Sequence, residues 1–203
     1  TGVVDAAFRW RPDGSRAYLP LPPTHPAPAN TFSAFGVSQD GATIVGSVHP
    51  TGLTLGVAAR WTEAGGTELL ADPGGVFSAS VARHVGPDGR IYGWGLLATS
   101  GVQTAMVWDA VNGMRDLQAL LVAEHGFAFG GDRMTLAVPS DDGDELTGIL
   151  FRPSTLSQEG FVIFLDPSAP ALPWWGLAAA ALALLAVGAQ WARFAPTSDE
   201  GSR

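Results

Sequence analysis

The chain has 203 residues, 46% of them hydrophobic, no cysteine and a formal net charge of −8. The lack of cysteine excludes disulfides, thiolate catalysis and zinc–thiolate sites, and the acidic balance argues against a nucleic-acid-binding surface. Gly 26 and Pro 15, set between short apolar runs, predict many tight turns and an all-β domain.

In chain order, the first predicted strand is AAFRW, ending at Trp10, followed by a glycine turn and RAYL. The Pro-rich stretch 19–32 then reads as an extended loop in polyproline II form. SAFGVS and TIVGSV flank Asp40-Gly41, and VAARW ends at Trp61, with TELL after it. The same order returns around Asp88-Gly89, with TAMVW ending at Trp108, and around Asp142-Gly143, with GFVIF ending at Phe164 in place of Trp. Anchors about 50 residues apart define a repeat of roughly four strands, the size of a propeller blade. The aromatic anchors are expected to pack between neighbouring sheets. The Asp-Gly pairs are expected to form type I′ hairpin turns, with positive φ at both residues. The expected fold is therefore a β-propeller-like repeat domain over 1–166, of about three units. A closed ring needs four or more blades, so further blades are expected upstream of Thr1, or FVIFL closes the ring by pairing with an N-terminal strand.

Little in this domain points to chemistry. His25, His49, His84 and His125 are scattered without metal-ligand spacing. Asp141, Asp142, Asp144 and Glu145 form an acidic loop that misses the EF-hand positions and reads as a solvated turn. There is no G-x-S-x-G elbow, phosphate loop or dinucleotide fingerprint. No catalytic residue, metal or cofactor is expected.

The C-terminal segment differs. Pro167 to Ala192 has only one ionic neighbour on each side and no charge within. A helix from Trp174 to Trp191 would measure ~27 Å, close to a hydrocarbon core of ~30 Å. The predicted order is a linker over 167–176, a transmembrane helix over 177–192 and a cytoplasmic tail over 193–203. Trp174 and Trp191 flank the membrane as interfacial indoles, and Arg193 is the cytoplasmic charge.

Two resemblances follow from these residues. AAFRW, AFGVSQDGATIVG and NGMRDL resemble the HAF-repeat family of bacterial extracellular proteins, over about residues 3 to 165. The family implies an exported β-repeat protein and carries over no catalytic residue. Pro170-Ala171-Leu172-Pro173-Trp174-Trp175-Gly176 resembles the IPTL-CTERM sorting signal, a relative of PEP-CTERM. Pro170, Leu172, Trp175 and Gly176 match its motif, and Pro173 lies within it. That resemblance implies recognition by an exosortase-type membrane protease. Its usual cluster of arginines is thin here, since Arg193 is followed by Asp199 and Glu200. The expected function is a non-enzymatic protein sorted or anchored at the cell surface, with a structural or matrix-binding role. The rivals are a β-propeller hydrolase or lyase with its catalytic residues in upstream blades, and an unprocessed single-pass membrane binding protein.

Overall fold

The Trp-ending runs occupy one place in successive antiparallel sheets. In a computed structural model, residues 7–11, 13–22, 29–50 and 55–165 are described. The first sheet is the hairpin β1 (Phe8–Trp10) and β2 (Arg16–Tyr18). The second is the meander β3 (Ala29–Val37), β4 (Thr43–Pro50), β5 (Val57–Thr62) and β6 (Gly66–Leu69). The third repeats it with β7 (Phe77–Val85), β8 (Ile91–Leu97), β9 (Gln103–Asp109) and β10 (Gly113–Asp116). Helix α1 (Leu117–His125) precedes the fourth sheet, formed by β11 (Arg133–Pro139), β12 (Glu145–Arg152) and β13 (Ser157–Phe164). Every pairing is between consecutive strands, which keeps loop-closure cost low. The all-β expectation holds for the sheets, and the predicted strand pair after each anchor forms in the first three.

Strand register corrects one equivalence. Ile44 pairs with Trp61, Ile91 with Trp108, and Leu146 with Ile163. The position matching the tryptophans is therefore Ile163, not Phe164. A one-residue slip moves a strand side chain to the opposite face, and Phe164 does lie on the other side of its sheet from Ile163.

Alternation along the strands splits the apolar residues between two faces. In β5, Ala59 and Trp61 enter the core shared with the first sheet, while Ala58 enters the core shared with the third. In β9, Met106 and Trp108 point back to the second sheet, while Ala105 and Val107 point on to the fourth. Three cores thus lie between successive sheets, and the two middle sheets are covered on both faces. Full burial of a side chain such as Met106 or Val45 contributes about 1.5–3 kcal/mol.

The glycine that ends each Asp-Gly repeat has a steric cause. A Cβ on Gly46 would lie 1.9 Å from the Ser33 carbonyl oxygen, on Gly93 2.0 Å from that of Val81, and on Gly148 2.1 Å from that of Leu136. Gly46 and Gly93 sit opposite strand bulges, at Ala34–Gly36 and Ala82–His84. The bulge carries the first strand of the sheet into space that a side chain would fill.

Helix α1 interrupts the repeat and was absent from the sequence expectation. Asp116 caps its N-terminus, its side chain accepting from the Ala119 N–H, and Gly126 ends it at φ 68°. Leu117 and Leu121 enter the third core.

Candidate functional site

The Asp-Gly turns follow one design, but not the expected one. The Gly41 N–H donates to the Ser38 carbonyl, Gly89 to that of Gly86 and Gly143 to that of Ser140. Positive φ falls on the glycines, at 71°, 79° and 84°, and among the described non-glycine residues only on Leu156. The aspartates therefore keep negative φ, and type I′ turns are ruled out. These are turns with negative φ at the central pair, closed by a left-handed glycine. The reason is the aspartate itself. Asp40 accepts from Ser38 Oγ at 2.5 Å and from the Ala42 N–H at 3.0 Å, and Asp142 accepts from Ser140 Oγ at 2.5 Å and from the Asp144 N–H at 3.2 Å. The side chain thus bridges two residues forward, and it does so with the aspartate at negative φ. Asp88 keeps the backbone half of this arrangement, accepting from the Arg90 N–H at 3.0 Å.

These bonds set the charge. The Ser38 hydroxyl, then the Ala42 N–H, hold the Asp40 carboxyl below its ordinary range. The Ser140 hydroxyl, then the Asp144 N–H, do the same for Asp142. Both donors favour the carboxylate.

Residues from three successive sheets meet around these turns in a cleft of about 540 Å³. Gln39 and Asp40 come from the second sheet, His84 and Pro87 from the third, and Asp141 from the loop of the fourth. His84 was expected as a scattered loop residue; the fold brings it to this cleft. A second depression, of about 470 Å³, lies beside α1. Its polar groups hold the fold together: Gln118 donates to the Asp132 carbonyl at 3.0 Å and accepts from the Met134 N–H at 2.7 Å, and Asp132 pairs with Arg152 at 3.2 Å.

A third feature joins the sheets. Arg9, the residue before Trp10, lies 4.8 Å over the ring of Trp61. Arg60, the residue before Trp61, lies 4.7 Å over the ring of Trp108. Each tryptophan faces back and each preceding arginine faces forward, so the first two joints combine the two. Such contacts are worth about 0.5–2 kcal/mol. The glutamates Glu63 and Glu68 pair with Arg9 and Arg60. The Arg-Trp dipeptides at 9–10 and 60–61 were the sequence signal for this ladder.

Other expectations meet the structure unevenly. Leu19 is buried and Leu21 packs on the first core, so this part of the Pro-rich stretch is not an exposed loop. His25 lies outside the described residues. His49 Nε2 lies 3.0 Å from Ser47 Oγ, and His125 ends α1. The acidic loop at 141–145 is a turn, as expected, and among the described residues no group of side chains is placed to hold a metal. The whole sorting motif (Pro170, Leu172, Pro173, Trp175 and Gly176), Trp174, Trp191, Arg193 and the helix expected over 177–192 lie outside the described residues. Among the described residues no helix is long and apolar enough to cross a membrane.

The described fold defines the chain as a mostly β protein built of successive antiparallel sheets. Compared with protein-family models, curated proteins and solved structures, the chain has no match.

Proposed function

We propose that the chain is an exported, propeller-type β-repeat module that binds a partner outside the cell and is sorted or anchored there through residues 167–192. The observation that supports binding is the cleft shared by three successive turn regions, with Gln39, Asp40, His84 and Asp141 on its wall. Asp40 is tied to its own turn and held below the ordinary carboxylate range. A general base works best with a pKa near the working pH, so this carboxylate suits a fixed negative surface better than proton transfer. The head-to-tail relation of the sheets supports a propeller, in which further sheets complete a ring. The sorting step rests on Pro170, Leu172, Trp175 and Gly176 and on the apolar run after them. Proline fixes its own φ and disfavours helix in the residue before it, which suits a motif read by a protease.

The test follows both ends of the chain. Epitopes are placed at the N- and C-termini, and the protein is expressed with and without an exosortase-type protease. With the protease, the N-terminal epitope should leave the membrane on a shorter band. Pro170→Ala, Trp175→Ala and Gly176→Ala together should keep it on the full-length band. If both epitopes stay on one membrane-bound band under every condition, sorting is refuted and a plain anchor remains.

A further inference from the structure

We propose that Asn112-Gly113 is a self-modification site, at which attack of the glycine nitrogen on the asparagine side chain is held off by the Asp109 carboxylate while the β9–β10 turn is closed. The chain has two asparagines, Asn30 and Asn112, and only Asn112 is followed by glycine. A glycine in that place leaves the attacking nitrogen unhindered and its backbone free to turn. Asn112 is also exposed, so water reaches it. In the reaction the Gly113 nitrogen attacks Asn112 Cγ. The N–Cγ bond forms, the Cγ–Nδ2 bond breaks, and the Gly113 amide proton leaves with the amine as ammonia. Water then opens the cyclic imide at either carbonyl, which gives aspartate or isoaspartate.

The turn grips this side chain. Asn112 Nδ2 donates to Asp109 Oδ1 at 3.0 Å and to Oδ2 at 3.1 Å. The Asn112 and Val111 N–H groups donate to Oδ1 at 2.8 and 2.9 Å, and Arg115 pairs with Oδ2. Burial pushes the Asp109 carboxyl up, but the Asn112 side chain, these N–H groups and Arg115 together pull it below its ordinary range. The amide nitrogen is therefore bonded twice to a carboxylate. That charge pushes electron density onto Cγ and makes it a poorer electrophile, and the two bonds pin the side chain. The products bear on the joint between the second and third sheets. A Cβ on Gly113 would lie 2.5 Å from Pro73 Cδ and 2.8 Å from the Ala71 carbonyl oxygen, and the Met114 N–H donates to that oxygen at 2.9 Å. Met114, paired with Trp108, is 4% exposed in the second core. Deamidation sets a second carboxylate against Asp109, where like charges repel, and isoaspartate adds a backbone carbon directly before Gly113. Either product loosens β10 from its seat on 71–73, so a turn that has opened is marked permanently.

The full-length chain is incubated at mildly alkaline pH in a detergent that keeps the apolar 177–189 run in solution, then digested with trypsin. The peptide Ile91–Arg115 carries Asn112 as its one asparagine, and its mass rises by the difference between water and ammonia. Chromatography separates the aspartate and isoaspartate forms. The folded wild type should react about tenfold or more slowly than the same chain in urea, the factor that one bond to a charged group is worth. Asp109→Ala should speed the folded reaction by about the same factor. Asp109→Ser keeps an acceptor for the turn N–H groups but removes the carboxylate, and should speed it likewise. Arg115→Ala leaves the Asn112–Asp109 bonds in place and should speed it less. In urea all four chains should react at one rate, because the guard exists only in the folded state. Far-UV circular dichroism checks that each variant folds. Three results overturn the proposal: a folded wild type that reacts as fast as the unfolded chain, folded Asp109 variants no faster than wild type, or Arg115→Ala as fast as Asp109→Ala, which would assign the effect to general loosening of the hairpin.

Discussion

Replacing Gly93 by Ala tests the steric account of the repeat. The added Cβ would stand 2.0 Å from the Val81 carbonyl oxygen and 3.1 Å from the Ala82 Cα. An ordinary C···O contact is about 3.3 Å or more, so one strand must move by ~1.3 Å. The obstacle is backbone and the residue is buried, so no side chain can swing aside. Overpacking of this kind costs typically about 1–3 kcal/mol. Loss of glycine flexibility in the unfolded chain returns only about 0.5–1 kcal/mol. A net cost near the upper end, about 2–2.5 kcal/mol, lowers the folded-to-unfolded ratio roughly 30- to 70-fold. With a urea slope of about 2–3 kcal/mol/M, the midpoint should fall by about 1 M. Far-UV circular dichroism of the full chain in urea reads this. Gly160→Ala is the control, because its Cβ would meet only the Gly148 carbonyl oxygen, at 3.9 Å. That variant should be neutral or stabilised by about 0.5 kcal/mol. A Gly93→Ala midpoint no lower than that of Gly160→Ala would refute the reasoning. Gly46→Ala and Gly148→Ala should behave as Gly93→Ala does.

The remaining predictions concern the joints, the turns and the helix. In a double-mutant cycle of Arg60→Ala with Trp108→Leu, the coupling should be about 0.5–2 kcal/mol; zero coupling would mean that the 4.7 Å stack contributes nothing. The lowered Asp40 and Asp142 pKa values add stability that is complete above the ordinary carboxylate value near ~3.9 and is lost as the pH falls through their folded values. Ser140→Ala should therefore raise the Asp142 midpoint in a carbon-detected carboxyl titration, while leaving Asp40 in place. Asp116→Ala removes the α1 cap and should cost about 1 kcal/mol. Amide exchange should speed up in α1 before it does in β8 or β9, and uniform acceleration would count against a local role.

The sequence made the repeat legible because packing in this fold is periodic in two ways. Alternation along VAARW and TAMVW sends neighbouring residues to opposite cores, so the tryptophans recur at one register. The Asp-Gly pairs located the turns, though not their type. Dipeptide preference alone suggests positive φ at both residues, whereas Asp40 keeps negative φ while its carboxylate bonds the Ser38 hydroxyl and the Ala42 N–H. Helix α1 was hidden for a different reason. Its run LQALLVAEH follows directly on the strand GMRD, and the apolar pattern carries across the boundary. The readable signals were the Asp116 and Gly126 caps. The cleft was not legible at all, because Gln39, His84 and Asp141 come together only when three sheets stack.

The drift of the third unit has a physical logic in the same ladder. At the first two joints an arginine covers a tryptophan, and both members are needed. A guanidinium moved into a joint without an aromatic face would be desolvated with nothing to receive its charge. At the third joint the backward position is Ile163, and the forward residue is Val107 rather than arginine, 1% exposed. The two positions have thus changed together, from a cation and a ring to two aliphatic side chains. An isoleucine fills less area than an indole, and α1 supplies Leu117 and Leu121 to the same core. The inserted helix and the lost tryptophan are therefore two sides of one packing solution. An arginine restored at position 107 alone should destabilise the chain, whereas at position 60 arginine is the residue that the joint requires.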